Sequence, residues 1–214
     1  MPSTKSVILS CAGIGSRLGL GQTKALININ GKSLIAWQLE MFKNVEDLRI
    51  VIGYQANDIV NEVLKYRDDV IFVYNHRYFE TKTGASFYLG AQHANEYVIE
   101  WDGDLLVHPE DIKKILSIDG EFICYADKTS DEAVFIRTNE KGEVVSFSTT
   151  EGDYEWTGPA CIKKDKLQYS SGNVFNQLEP YLPMRGIKIC AYDIDTYDDY
   201  MRVSEIIKKW NYEK

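Results

Sequence analysis

The stretch "VILSCAGIGSRLGLGQTKALININGKSL", residues 7–34, decides the fold because it joins a short apolar run to a glycine-rich loop. Val7 to Ser10 is typical of a buried strand, and the loop after it carries Arg17 and Lys24 among its glycines. Glycines let the backbone approach a polyphosphate closely, and basic side chains add charge-assisted hydrogen bonds. Ligands of open α/β sheets bind beyond the carboxyl ends of the strands, so this loop is placed to bind an anion.

The spacing of the glycines separates this loop from two familiar nucleotide-binding motifs. Neither G-x-x-x-x-G-K-[ST] nor G-x-G-x-x-G is satisfied, because Leu18 stands where the third glycine of the second motif would fall. A Walker-type ATPase and a dinucleotide-dependent dehydrogenase therefore lose support. The alternative without a ligand is a plain turn in which Lys24 is a solvated surface charge.

Strands and helices alternate outward from this loop. The segment "GKSLIAWQLEMFKNV", residues 31–45, repeats apolar residues at helical spacing, with Ser33 as the N-cap. Further strand-like runs are "LRIVIG", "VIFVYN" and "YVIEW", with helical patterns between them. This alternation indicates parallel strands joined by right-handed crossovers. We expect an α/β fold, namely a single-domain Rossmann-like three-layer sandwich with a mixed, mostly parallel central sheet.

The second half of the chain has a different pattern. After about residue 120 short strand-like runs follow one another, and "NEKG", residues 139–142, predicts a hairpin turn. The segment "DIDTYDDYMRVSEIIKKW" predicts a closing helix. Because no repeat, low-complexity segment or linker interrupts the chain, we expect one domain over residues 1–214.

The composition narrows the class of partner. The chain has 214 residues, 44% of them hydrophobic, and a net charge of −8, which disfavours a broad nucleic-acid or anionic-membrane surface. No window has the length of a signal peptide's apolar region or of a transmembrane helix. The four cysteines lack zinc-site spacing and indicate reduced thiols. We expect a cytoplasmic monomer or homodimer whose partners are small molecules, with no nucleic acid and no membrane.

An acidic segment follows one of the predicted strands. In "VIEWDGDLLVHPED", residues 98–111, the strand ends at Trp101, and Asp102 and Asp104 come directly after it. These residues fall at the sheet edge where the glycine-rich loop also lies. Carboxylates at this edge suit a hard divalent ion such as Mg²⁺ held against phosphate oxygens. The alternative is an Asp-Gly turn with solvated carboxylates.

A second acidic segment, "YDIDTYDDY", precedes the last helix. Asp195 is the candidate second metal ligand, but Asp193 has the same parity along a strand, so the spacing leaves both open. Thr196 or Asp198 is expected to cap the helix.

These segments together resemble the signature of the nucleotidyltransferases that activate sugar 1-phosphates and related phosphate compounds. That signature has an apolar strand, a small-small-Gly-x-Gly-x-Arg-Leu loop, a Lys before a short apolar run and Gly-Lys-x-Leu, all of which lie within residues 9–35. The later segments "VIGYQAN", "TGASFYLGA", "WDGD" and "DIDTYDDYMRVSEI" extend the match over nearly the whole chain. The chain's size and these segments look more like the compact cytidylyltransferases that act on phosphocholine or aminoalkyl-phosphonates.

The resemblance implies a Mg²⁺-dependent enzyme that transfers a nucleoside monophosphate, favoured as CMP from CTP, to a small phosphate or phosphonate acceptor and releases pyrophosphate. Residues 1–118 would bind the nucleoside triphosphate, and residues 119–214 would form the acceptor-binding part and the closing helix. Arg17 and Lys24 would be catalytic, and Asp102 and Asp195 would hold the metal. The residues implied to bind the nucleotide are Ser10, Cys11, Ala12, Gly13, Ile14, Gly15, Ser16, Arg17, Lys24, Gly84, Ala85, Ser86 and Asp102.

The acceptor site is inferred from aromatic and acidic residues beside Asp102 and in "EGDYEWTGPA". Aromatic rings with a nearby carboxylate would surround an ammonium group through cation–π contacts. The expected acceptor-binding residues are Trp101, Asp104, Tyr154, Glu155 and Trp156. The alternative is that these aromatic residues only fill the core.

Three other functions stay open. A sugar-1-phosphate nucleotidyltransferase using UTP, GTP or dTTP loses support because "RLGLGQTKAL" lacks the prolines common in those enzymes. A metal-dependent glycosyltransferase would use the acidic residues but gives Arg17 and Lys24 no evident purpose. A non-catalytic nucleotide-binding regulator would not require Arg17, Lys24, Asp102 and Asp195 together.

Overall fold

The computed structural model describes residues 4–15, 18–19, 21–129 and 133–210. Within these ranges, nine strands form one central sheet, and two further pairs of short strands lie beside it. The strands are β1 Lys5–Cys11, β2 Asn28–Ile29, β3 Lys32–Ser33, β4 Asp47–Ile52, β5 Ile71–Tyr74, β6 Tyr97–Asp102, β7 Leu105–Val107, β8 Phe122–Ala126, β9 Phe135–Thr138, β10 Glu143–Ser148, β11 Tyr154–Lys163, β12 Met184–Lys188 and β13 Ala191–Asp193.

The central sheet is mixed, with the order β5-β4-β1-β6-β11-β8-β12-β10-β9. Its first four strands are parallel, as the alternating pattern predicts. Strand β11 then runs antiparallel to both β6 and β8. Because β11 comes from the second half of the sequence and pairs with β6 of the first half, both halves share one sheet.

In the described part of the chain, six α-helices cover the two faces of the sheet or follow its last strands. They are α1 Leu34–Met41, α2 Ala56–Val63, α3 Thr83–Ala91, α4 Pro109–Ser117, α5 Val174–Leu178 and α6 Tyr197–Ile206. None of the described helices has the length and apolar character needed to cross a membrane.

Alternation along β1 divides the buried residues into two cores, one on each face of the sheet. Val7 and Leu9 belong to the larger core, with apolar residues of α1, α4 and α6. Ile8 points to the opposite face and packs in the second core, which includes Phe87 of α3 and Val174 of α5. Helices on both faces confirm the three-layer α/β fold.

Several local predictions are confirmed. The side chain of Ser33 accepts a hydrogen bond from the backbone N–H of Ala36 at the start of α1. The side chain of Thr196 caps α6 by accepting from Asp199. At the predicted hairpin turn, the N–H of Gly142 donates to the carbonyl of Asn139, at 2.9 Å.

Candidate active site

The candidate site lies where β1 and β6 end side by side. Ser10 of β1 is in register with Asp102 of β6, so the glycine-rich loop and the acidic segment meet at one edge of the sheet. A cavity of about 250 Å³ opens there. Its lining residues are Ser10, Cys11, Gly13, Gly15, Thr23, Lys24, Ala25, Thr83, Asp102, Gly103 and Asp104.

Two glycines allow the glycine-rich loop and the acidic segment to lie close together at this edge of the sheet. Gly15 has a φ of +67°, and a Cβ built there would lie 2.8 Å from Cγ of Lys24. Gly103 donates its N–H to the carbonyl of Ser10 at 3.0 Å, and a Cβ at this position would collide with the same oxygen. Side chains at these positions would push the loop and the acidic segment apart.

The segment between β4 and α2 supports the loop at two points. The N–H of Tyr54 donates to the carbonyl of Ala12 at 3.1 Å, and the N–H of Thr23 donates to Oε1 of Gln55 at 2.7 Å. These bonds fix the chain on both sides of the loop, because Ala12 precedes it and Thr23 comes just before Lys24. The sequence motif "GYQAN" contains Gln55, but its role depends on a contact that the spacing does not reveal.

Of the described residues that line the smaller cavity, Lys24 is the one with a cationic side chain. Its Nζ lies 2.5 Å from Oδ2 of Asp104 and also forms an ion pair with Oδ1 of Asp195. Burial alone would lower the pKa of Lys24, but Asp104 and Asp195 outweigh it and raise that pKa above its ordinary value. Lys24 is therefore an ammonium ion at neutral pH, within a group of carboxylates.

The carboxylates around Lys24 crowd one another. Burial, with repulsion from Asp104 and from Asp195, raises the pKa of Asp102 to about 7, although Glu100 and Lys24 oppose that shift. Burial and the neighbouring carboxylates raise the pKa of Asp193 well above its ordinary range. Its Oδ1 is buried and has no hydrogen-bond partner. Crowded carboxylates of this kind favour a cation at the site.

These oxygen donors fit a hard divalent cation such as Mg²⁺. Across the described ranges, no three His, Cys, Asp or Glu side chains converge into a complete metal cage. Mg²⁺ needs no such cage, because proteins usually hold it through one or two carboxylates and substrate phosphates. The predicted ligands Asp102 and Asp195 lie close enough to influence each other's charge, so this donor set suits Mg²⁺.

Gln38 of α1 positions the acidic segment, although no sequence motif predicted it as a site residue. Its Nε2 donates to the carbonyls of Asp102 and Leu105, both at 3.0 Å, and its side chain is fully buried. A glutamine among the apolar positions of a buried helix was the available signal, because such a residue needs a polar partner.

A second cavity, of about 500 Å³, adjoins the first and shares Thr83, Asp102 and Asp104 with it. Carboxylates and two aromatic rings dominate its lining. Its lining residues are Thr83, Asp102, Asp104, Thr129, Ala133, Val134, Glu155, Trp156, Asn173, Phe175, Asp193, Asp195, Thr196, Asp199 and Arg202.

The aromatic side of this cavity is a packed cluster. The ring of Trp156 lies 5.6 Å from that of Phe147 and 6.2 Å from that of Phe175. Next to it, Oε2 of Glu155 accepts hydrogen bonds from the N–H of Thr129, at 2.8 Å, and from its hydroxyl, at 3.2 Å. Three of the expected acceptor-binding residues, Asp104, Glu155 and Trp156, thus line one cavity.

Two other residues expected to bind the acceptor lie elsewhere. Trp101 is fully buried in the larger core, with its ring 4.8 Å from that of Phe42, because its position in β6 points it away from Asp102. Tyr154 packs 4.7 Å from Tyr125, and Nζ of Lys188 lies over its ring. Neither lines a cavity at the site, so the prediction that they contact an acceptor is corrected.

The start of α3 also differs from the expectation. Gly84, Ala85 and Ser86 are buried, and a Cβ on Gly84 would lie 2.7 Å from the carbonyl of Gly172. These residues hold α3 against the segment before α5, and Thr83 is the residue of this helix that lines both cavities. Packing explains the small residues here, whereas the sequence analysis assigned them to nucleotide contact.

Some of the described residues of the glycine-rich loop line the smaller cavity and others do not. Ser10, Cys11, Gly13 and Gly15 line the smaller cavity, whereas Ala12 and Ile14 do not. Ser16 and Arg17, which are expected to bind the nucleotide, lie outside the described residues. Thr83, Asn173, Phe175 and Arg202 were missed, because distant segments bring them together and no local pattern marks them.

The sequence is similar to nucleotidyltransferases over most of its length. Residues 7–157 match the family model of the MobA-like NTP transferase domain. The choline-phosphate cytidylyltransferase of Streptococcus pneumoniae is 28% identical over 240 residues, which cover 97% of this chain and 100% of that protein. This similarity agrees with the expected resemblance to compact cytidylyltransferases.

Solved structures share the fold. The CTP:phosphocholine cytidylyltransferase from Streptococcus pneumoniae superposes with a TM-score of 0.74 at 21% identity, covering 95% of this chain and 99% of that chain. The inositol-1-phosphate CTP transferase from T. maritima gives a TM-score of 0.81 at 20% identity, covering 98% and 96%. Because the family model spans well over half of the sequence, with a matching fold and the signature loop in place, the chain belongs to the MobA-like NTP transferase family.

Proposed function

We propose that this chain is a cytidylyltransferase that transfers CMP from CTP to a small phosphate or phosphonate acceptor bearing an ammonium group. One observation carries the proposal: Lys24 and its carboxylate partners lie where two adjoining cavities share Asp102 and Asp104. A reaction between two anions needs such a junction, with one cavity for each substrate. The similarity to a choline-phosphate cytidylyltransferase along the full chain supports CTP as the donor.

The smaller cavity would take the nucleotide. Ser10, Gly13 and Gly15 line it, and the two glycines leave room for phosphate oxygens close to the backbone. Arg17 would hold the β- and γ-phosphates, which leave as pyrophosphate. Lys24 would contact the α-phosphate, since its ammonium group lies at the boundary with the second cavity.

The metal would be Mg²⁺, held by Asp102 and Asp195, with Asp193 as the alternative second ligand. When bound, Mg²⁺ would neutralise part of the charge on the nucleotide phosphates. The crowded carboxylates and the unpartnered Oδ1 of Asp193 support a cation here. Individual Asp195→Asn and Asp193→Asn variants separate the two assignments, because only the true ligand's loss weakens Mg²⁺ binding.

The reaction needs no side-chain nucleophile. An oxygen of the acceptor's phosphate or phosphonate, already anionic near neutral pH, would form a bond to the α-phosphorus of CTP. The bond between the α-phosphorus and the pyrophosphate oxygen breaks, and pyrophosphate leaves with the electron pair. The protein would supply orientation and charge: Lys24 offsets the repulsion between the two anions, and Arg17 stabilises the leaving group.

The larger cavity suits an acceptor with a positive end. Glu155 and Asp195 supply negative charge, while Trp156 and Phe175 supply aromatic faces. An ammonium group near an aromatic face gains about 0.5–2 kcal/mol, depending on how far it is desolvated. A sugar 1-phosphate has no such group, so this lining favours phosphocholine or 2-aminoethylphosphonate.

Pyrophosphate release with Mg²⁺ tests this function. CTP, UTP, GTP, dTTP and ATP are each combined with phosphocholine, 2-aminoethylphosphonate and a sugar 1-phosphate. CTP with an ammonium-bearing acceptor should turn over fastest. Preference for the sugar 1-phosphate would instead establish a sugar nucleotidyltransferase, and no release from any pair would overturn nucleotidyl transfer altogether.

Replacement of one aromatic residue tests the acceptor class. Trp156→Leu should raise KM for the ammonium-bearing acceptor about tenfold without changing KM for CTP, because Trp156 lines only the larger cavity. Tyr154→Leu is the matched control, since this neighbouring aromatic residue packs on Tyr125 outside both cavities. Equal acceptor KM values for the two variants would contradict the ammonium site.

A further inference from the structure

Arg202 of α6 stands out in the larger cavity because of its charge. Among the described residues that line this cavity, it is the one cationic side chain, whereas six are carboxylates: Asp102, Asp104, Glu155, Asp193, Asp195 and Asp199. The carboxylates that keep their charge repel an anionic acceptor that enters this cavity. Lys24 lines the smaller cavity and is already paired with Asp104 and Asp195.

The guanidinium of Arg202 is held in place on two sides. Its Nη2 donates to Oδ1 of Asp199 at 2.5 Å, and its Cζ lies 5.5 Å from the centre of the Tyr192 ring. Asp199 is fixed in turn, because its Oδ2 accepts from the N–H of Thr196 at 2.9 Å. An arginine oriented in this way loses little further side-chain entropy when it binds a ligand.

One donor of this guanidinium has no acceptor in the protein. Nε of Arg202 is buried and has no hydrogen-bond partner. Buried polar groups are nearly always paired, so an orphan donor on a cavity-lining arginine calls for an explanation. The Arg202 side chain as a whole is 38% exposed, so its outer N–H groups can meet an incoming ligand. A phosphate or phosphonate oxygen is the acceptor that a guanidinium binds best, and a rotation that uncovers Nε would let the planar group match two oxygens at once.

We propose that Arg202 binds the phosphate or phosphonate group of the acceptor and so determines that the acceptor is an anion at one end. The aromatic and acidic residues around Trp156 take the other end, which gives the cavity two poles. This inference rests on the proposed nucleotidyl transfer. Arg202 selects the acceptor and has no part in binding CTP.

Steady-state kinetics of Arg202→Gln and Arg202→Lys test this role. Arg202→Gln should raise KM for the ammonium-bearing acceptor about tenfold or more and leave KM for CTP within about twofold. The acceptor KM of Arg202→Lys should lie between those of Arg202→Gln and the wild type. Lysine keeps the positive charge but lacks the planar guanidinium that can donate to two oxygens at once. The matched control is Arg137→Gln, since Nη2 of Arg137 also pairs with one carboxylate at 2.5 Å, that of Glu151, but outside the cavity.

Inhibition constants for fragments of the acceptor distinguish binding by Arg202 from a structural role. A structural role would not change the inhibition constant of one fragment selectively. Methylphosphonate, which has only the anionic end, should inhibit Arg202→Gln at least about tenfold more weakly than the wild type. Choline, which has only the cationic end, should inhibit both equally. An unchanged inhibition constant for methylphosphonate, or equal weakening for both fragments, would overturn the assignment.

The failure of this inference differs from the failure of the proposed function. If the wild type turns over and the acceptor KM of Arg202→Gln is unchanged, only the role of Arg202 is wrong. If the wild type releases no pyrophosphate with any pair of substrates, nucleotidyl transfer itself is wrong. Should Arg202→Gln fail to fold, Arg202→Lys carries the test, with an acceptor KM equal to that of the wild type as the contrary result.

Discussion

At the scale of single residues, Lys24 lies at the junction of the two cavities, because it lines the smaller one and its partners Asp104 and Asp195 line the larger one. Its side chain is 11% exposed, and its ammonium group is paired with Asp104 and Asp195. An ion pair at this depth is weak evidence for stability, because desolvation offsets much of the attraction. A cation kept here is better explained by a charge that arrives with the substrates.

Lys24→Ala should reduce kcat by a factor corresponding to about 3 to 4 kcal/mol, as expected when one group that stabilises a transition state is lost. The fold should persist, since the side chain lies at the sheet edge and outside both apolar cores. Circular dichroism and pyrophosphate release measure the two effects. Lys65→Ala, which removes an exposed lysine paired with Glu62, is the control and should keep full activity. A Lys24→Ala variant as active as this control would show that Lys24 is only a structural ion-pair partner.

At the scale of secondary structure, the site depends on α1 as much as on the loop. Gln38 of α1 ties down the turn from Asp102 to Leu105 through two backbone carbonyls. These two hydrogen bonds join α1, a helix of the larger core, to the end of β6. The acidic residues therefore keep their orientation toward Lys24.

Gln38→Leu should lower the free energy of unfolding by about 2 kcal/mol, because the partly buried carbonyl of Asp102 and the buried carbonyl of Leu105 lose their donor. Activity should fall as well, since the turn that carries Asp102 is no longer fixed. Urea denaturation and kinetics of the same preparation measure both effects. The control is Gln92→Leu, which removes an exposed glutamine bonded to one carbonyl, that of Tyr88. Full activity in a destabilised Gln38→Leu variant would separate the packing of α1 from the function of the site.

The sequence predicted the elements that are determined by residues close together in the chain. The run of β1, the Ser33 cap and the turn at residues 139–142 each depend on residues close together in the chain. The insertion of β11 between β6 and β8 has no local signal, because its pairing joins distant segments. That pairing decides which aromatic residues line the cavity. Of the predicted Trp101, Tyr154 and Trp156, Trp156 lines it, and Phe175 joins it from a distant segment.

At the scale of the whole molecule, the net charge of −8 is concentrated in part at the site. Asp102, Asp104, Asp193 and Asp195 surround one lysine and repel one another. This repulsion destabilises the folded chain, and a bound divalent cation would relieve it. Metal binding should therefore be visible in the stability of the protein, without any substrate.

Mg²⁺ at about a hundred times its Kd should stabilise the wild type by about 2.7 kcal/mol, as mass action requires for a ligand that binds only the folded state. Asp102→Asn should lose this effect, because it removes the proposed main ligand. Thermal melts with NaCl at matched ionic strength isolate the specific effect from screening. Asp119→Asn, a change at an exposed loop residue, should respond to Mg²⁺ as the wild type does. Equal stabilisation of Asp102→Asn would place the metal elsewhere.

The fate of labelled phosphate most directly tests the proposal that this protein transfers CMP from CTP to the acceptor. Wild-type protein is incubated with Mg²⁺, 2-aminoethylphosphonate and CTP that carries the label on either the α- or the γ-phosphate. The proposed attack on the α-phosphorus predicts that the α-label enters the new cytidylyl product and that the γ-label leaves as pyrophosphate. Transfer of the γ-label to the acceptor, or recovery of both labels in unreacted CTP, would contradict nucleotidyl transfer.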